Sequence, residues 1–111
     1  MSDLAELNQQ LENAKAVASQ KEKIERLMQN RDFKELIVDG FMRDEAARLV
    51  GLSADPNIDA KDQHDCLSMA QAGGHLKRYV NVMIQQGHTA EREIPNIEAA
   101  LEEMRSEGED D

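Results

Sequence analysis

Aromatic residues are almost missing from this chain, which has no tryptophan, one tyrosine and two phenylalanines in 111 residues. Burial must come from Leu, Ile, Val, Ala and Met, an inventory that suits helix packing better than a sheet. Cysteine occurs once, at Cys66, which excludes an intramolecular disulfide and fits a reducing compartment. No eighteen apolar residues run together, and Met1-Ser2-Asp3-Leu4 lacks a basic stretch followed by an apolar one. A soluble intracellular protein with no membrane contact is expected. Positive charge is scarce too: 13 Lys and Arg stand against 23 Asp and Glu, for a net charge of -10. The densest basic cluster is only Lys77-Arg78, so direct nucleic-acid binding is disfavoured and a basic protein is the electrostatic complement.

Residues 3 to 30, free of Gly and Pro, predict one long helix carrying Leu4, Leu7, Leu11, Ala14, Val17, Ile24, Leu27 and Met28 among polar residues. Heptad steps hold from Leu4 to Ala14, then shift frame through Val17, Ile24 and Leu27 like a stammer in a coiled coil. At roughly 40 Å, by a rise of ~1.5 Å per residue, this helix outreaches the rest of the domain. Its narrow stripe would be unstable alone, so Leu4, Leu7, Leu11, Ala14, Val17, Ile24 and Leu27 are the expected protein interface, pairing with a second copy.

Asp32 with Glu35 reads as the capping box of a second helix, in which Phe33, Leu36, Ile37, Gly40 and Phe41 share a face. Gly40 could admit a close neighbour or end that segment; whether residues 33 to 53 form one helix or two stays open. Ser53-Ala54-Asp55-Pro56-Asn57 is the clearest loop, and Asp59 is the expected N-cap of a third helix reaching Gln86, with Gly87 as its C-cap. A seam at alternating steps of three and four runs along that helix: Cys66, Met69, Gly73, Leu76, Val80, Met83, Gly87. Either a close crossing or a kink would account for Gly73-Gly74 within it. Pro95 is expected to interrupt or start a short last helix carrying Ile97, Leu101 and Met104, and residues 106–111 are expected to be a disordered acidic tail.

No catalytic, cofactor or metal site is expected. Asp55-x-Asn57-x-Asp59 has the spacing of a calcium loop, yet Ala60 stands where glycine is needed and Cys66 where a bidentate glutamate is needed. His64 and Cys66 point about 200° apart on a helix, and His64 and His75 share a face but lie roughly 16 Å apart, so no tetrahedral zinc set forms. Asp65 beside Cys66 disfavours a thiolate, and Gly73-Gly74 lacks the preceding strand and following lysine of a phosphate loop.

Two stretches, Asn30-Arg31-Asp32-Phe33-Lys34-Glu35-Leu36-Ile37-Val38-Asp39-Gly40-Phe41 continuing through Glu45-Ala46-Ala47-Arg48-Leu49-Val50, and Gly74-His75-Leu76-Lys77-Arg78-Tyr79 continuing to Gly87, carry a texture. It resembles small all-helical proteins from the virion-assembly genes of tailed bacteriophages, over residues 20 to 92. That group has no defined activity, so no functional residue is carried over. The resemblance implies a virion-associated or head-assembly role in a bacterial host cytoplasm or virion, with other phage structural proteins or a host protein as partners; the lack of a site in the residues makes that role non-enzymatic.

The expected fold is all-α: a long N-terminal coiled-coil-like helix (1–30) packed on an antiparallel helical hairpin (32–87), with a short C-terminal helix, in a single domain over 1–105. Phe33, Leu36, Ile37, Phe41, Leu49, Val50, Met69, Leu76, Val80 and Met83 are its expected core. Self-association is the expected mode of action; the alternative is an acidic phage regulator that binds and inhibits a basic host protein.

Overall fold

The computed structural model describes the backbone of residues 2–110 and the side chains of residues 3–108. The fold is all-α, with no strand among the described residues. Helix α1 spans Ser2–Gln29. A second rod runs without interruption from Arg31 to Ser53: α2 (Arg31–Phe33), a π-helical segment (Lys34–Glu45) and α3 (Ala46–Ser53). Helix α4 spans Ala60–Asp110. Residues 33–53 are thus one helix, in three backbone phases.

Local chemistry explains most of the boundaries. Asn30, with extended backbone, accepts a 2.9 Å hydrogen bond from the Phe33 amide, so the N-cap lies at Asn30 and not at Asp32. The 54–59 loop falls where Pro56 requires it. Asp55 Oδ1 accepts from the Asn57 amide at 2.9 Å, and the Asp59 carboxylate accepts from the Asp62 amide at 2.8 Å, capping α4 as expected.

Three expectations fail in α4. The helix does not end at Gly87, is not broken at Pro95, and continues through Ser106 to Asp110 instead of fraying into a disordered tail; Asp111 lies outside the described residues. No glycine has positive φ, so Gly87 is no left-handed cap. Pro95 is exposed, where its missing donor leaves the carbonyl four residues back open to water while the opposite side of the helix stays packed. The seam explains the continuation, because Cys66, Gly73, Val80 and Gly87 are followed at the same seven-residue interval by Ile94 and Leu101, all buried or half-buried.

The chain divides into two compact units, Met1–Ile24 with Met83–Asp111 and Glu25–Val82. In the first, the terminal unit, α1 and the C-terminal part of α4 run antiparallel around a small core of Ala14, Ala18 and Ala90, with Val17, Ile94 and Ile97 packed against it. Leu101, 2% exposed, is its most buried residue. Alanine and glycine at the contact let helix axes approach to the short end of the usual ~8–10 Å.

The frame shift expected in α1 is absent. Leu7, Leu11, Ala14, Ala18, Lys21, Glu25 and Met28, all buried or half-buried, continue one heptad whose fifth and sixth members are charged, with Val17 and Ile24 half-buried beside it. Lys21 and Glu25 hide that periodicity from a hydrophobic reading and shift it onto Ile24 and the exposed Leu27.

In the second, the middle unit, the 31–53 rod and the first part of α4 form the expected antiparallel hairpin. A methyl group at Gly73 would stand 3.1 Å from Met42 Cα, so this glycine marks a close crossing, as one of the two expectations had it. The π segment changes which residues face inward. With more residues per turn than an α-helix, it brings Val38 and Met42 inward and leaves Leu36 67% and Phe41 37% exposed. Gly40 suits this backbone, since a Cβ there would stand only 3.2 Å from the Glu35 carbonyl oxygen, five residues back. Val50 and Met69 are exposed as well, contrary to expectation; Leu49 and Val80 are buried, and Phe33, Ile37, Leu76 and Met83 are half-buried.

Candidate interaction surfaces

The residues expected to pair with a second copy are divided by the structure. Ala14 is buried and Val17 half-buried against α4 within the same chain. Leu7, Leu11 and Ile24 are half-buried, and Leu4 and Leu27 are 42% and 43% exposed. Much of the α1 stripe is therefore used in cis. A groove of about 710 Å³ remains beside it in the terminal unit, lined by Gln10, Asn13, Ala14, Val17, Gln85, Gln86, Thr89, Ala90, Glu93 and Ile97.

The one buried charged residue among those described is Lys21, 7% exposed. It occupies a heptad position, and its stem lies on Gly87: a Cβ at residue 87 would overlap Lys21 Cβ, Cγ and Cδ. Its Nζ reaches Glu91 Oε1 at 2.6 Å. The Lys21 hydrogen bond holds the Glu91 carboxyl below its ordinary range, with burial opposing. Burying a lysine in a helical seam costs stability, which its pairing with Glu91 offsets.

The middle unit has two unlike flanks. On one, Asp39 and Arg43 from the π segment and Lys77 and Asn81 from α4 border a groove of about 340 Å³, floored by Val38, Met42 and Val80 and including Met28 of α1. Arg43 bonds Asp44 at 2.9 Å, and this hydrogen bond, with a smaller pull from Asp39 at 3.8 Å, raises the guanidinium pKa. Helical geometry assigns the other flank: successive residues are about 100° apart on an α-helix, so Leu76 and Tyr79 lie across the Gly73–Val80 line from Lys77 and Asn81. On the facing rod, Ile37 and Phe41 precede the inward Val38 and Met42 just as Asp39 and Arg43 follow them. Ile37, Phe41, Met69, Leu76 and Tyr79 thus lie toward this flank, with Glu45 one turn after Phe41 and Asp65 one turn before Met69 beside them, while Leu36, two residues before the inward Val38, points away from α4.

His64, His75 and His88 are exposed and Cys66 is half-buried, and no group of three or more His, Cys, Asp or Glu able to hold a metal occurs among the described residues. No helix among the described residues is long and apolar enough to cross a membrane. No protein-family model, curated protein or solved structure matches the chain.

Sequence reasoning missed two features of these surfaces. Lys21 was passed over because a lysine in an amphipathic helix ordinarily reads as solvent-facing, although Gly87 opposite was the available hint of a large neighbour. The exposure of Leu36 and Phe41 was missed because both fit an α-helical core pattern, which the π segment displaces.

Proposed function

We propose that this chain is a non-enzymatic assembly component that acts through helix-mediated protein–protein contacts and self-association. Its setting, on the resemblance described above, is the virion or the head-assembly pathway of a tailed bacteriophage. The observation that carries the reading is the exposure of large apolar side chains on the helices, with Leu36, Met69 and Tyr79 at 67%, 57% and 61%. Isolated apolar residues are ordinary on a protein surface, but Met69 and Tyr79 lie with the half-buried Leu76 along one side of α4, and apolar residues grouped in this way mark contact. Light scattering over a concentration series at low and moderate salt tests it. Mass rising with concentration and resisting salt is expected; a monomer throughout would remove self-association from the reading.

A second reading gains from one feature. An acidic regulator that binds a basic host protein needs carboxylates arrayed on a folded surface. Glu91, Glu93, Glu98, Glu102, Glu103 and Glu107 are all exposed along the helical part of α4. Replacing Glu98, Glu102 and Glu103 with glutamine should abolish salt-sensitive capture of a basic partner on this reading, and leave self-association intact on the first.

A further inference from the structure

We propose that the groove of the terminal unit seats one amphipathic helix of another protein, apolar on the face it inserts and basic on its flanks, so that two antiparallel helices become a three-helix bundle. The inference rests on the second reading above, an acidic protein that takes a basic partner, and names the form of that partner and where it lies.

Shape selects a helix. The groove of about 710 Å³ runs from Gln85 to Ile97 on α4 beside Gln10 to Val17 on α1. At ~1.5 Å per residue it is roughly 18 Å long, about three turns of a helix. Ala14, Val17, Ala90 and Ile97 floor it, and the two alanines at its centre leave room for a third axis at the usual ~8–10 Å from both. A helix brings its own backbone hydrogen bonds to that apolar floor, whereas an extended segment would lay unpaired amides on it.

Charge selects a basic occupant. Glu93 lines the groove; Glu107 follows it two heptads on along the same side of α4, and Glu6 stands one turn before Gln10 on α1. The unit's five Lys and Arg do not offset these acids. By helical position Lys15 and Arg105 fall on the opposite side and Lys23 on the outer face. Lys21 is engaged with Glu91, and Arg92 stands on the outer rim, donating to Thr89 Oγ1 at 3.5 Å. Met1–Ile24 with Met83–Asp111 carries 13 acids against 5 Lys and Arg, net -8, a field that draws in a cationic helix.

The same accounting disfavours a second copy as the occupant. Ser2–Gln29 holds 4 Lys and Arg against 5 acids, Arg31–Ser53 holds 4 against 5, and Ala60–Asp110 holds 5 against 10. No helix of this chain is net basic, so the complementary helix comes from a different protein.

The test is fluorescence anisotropy of a dye-labelled synthetic helix of about five turns, with leucine and alanine on one face and lysine on the flanks, titrated with the full chain. Two control peptides replace lysine with glutamate or scatter the leucines around the helix. The lysine helix is expected to bind at least tenfold more tightly than either control. Asn13→Trp, which fills the groove, and Glu93→Lys should each raise its Kd at least fivefold, while Glu12→Lys on the outer face of α1 changes it less than twofold, all with helicity unchanged by circular dichroism. A scattered peptide bound as tightly as the amphipathic one, or an Asn13→Trp chain that binds as the natural one does, would overturn the groove and leave the acidic reading standing. Failure of both lysine peptides to bind would overturn the two together. Self-association that Asn13→Trp abolishes would put a second copy in the groove and overturn the foreign helix.

Discussion

The two units solve the same problem, packing antiparallel helices with few aromatics, in different ways. The terminal unit closes on alanine and glycine and admits one lysine, laid over Gly87 and paired with Glu91. The middle unit packs larger side chains against a rod with a π-helical interior and leaves Leu36, Met69 and Tyr79 more than half in water. A seam of small residues leaves little apolar surface over; a phase change in one rod turns Leu36 and Phe41 out of the core. The difference teaches that exposure on that rod is a product of backbone phase, and not of an excess of hydrophobic residues.

Paired leucine truncations probe this contrast most strongly. Leu101→Ala and Leu49→Ala remove side chains that are 2% and 4% exposed, one in each unit, and each should cost about 2–5 kcal/mol. If the units are separately cooperative, amide exchange will rise mainly in the unit that carries the change; an equal rise in both would erase the distinction.

A glycine series is expected to give smaller effects of opposite sign. Gly87→Ala drives a methyl into the Lys21 stem and should destabilise by about 1–3 kcal/mol, less the ~1 kcal/mol that alanine returns in helix propensity. Gly74→Ala meets nothing within 4 Å and should stabilise by about 1 kcal/mol. Thermal melts of the two variants should therefore move in opposite directions from the natural chain, and a Gly87→Ala protein at least as stable as the Gly74→Ala one would refute the Lys21 contact.

The smallest effect concerns acid. Glu91 has its pKa lowered in the fold by the Lys21 hydrogen bond, so this contribution is present above the unfolded carboxyl pKa and is lost as pH falls through the folded one. Glu91→Gln should flatten the acid side of the stability profile slightly without moving the neutral-pH optimum, as read by denaturant titration at stepped pH.

Much of the fold was legible in the sequence. The all-α class, the 54–59 loop, the Asp59 cap and the 66–87 seam follow from composition, Pro56 and spacing, which act locally. What was not legible depended on the other side of a contact. Pro95 reads as a break until its exposed position within a packed helix is known. Lys21 and Glu25 disguise a continuous heptad because burial of a charge depends on its neighbour across the seam. The π segment has no reliable local code, so Leu36 and Phe41 were placed in a core they do not enter.

The fit of Lys21 over Gly87 also has a hereditary meaning. A glycine at residue 87 has value only while position 21 carries a long side chain across from it, and that chain has room only while residue 87 lacks a Cβ. Either change alone leaves a clash or a void; both together could restore a tight seam. Among descendants of this sequence the two positions should drift as a pair, and an alanine at residue 87 should arise mostly in lineages that have already given up the lysine.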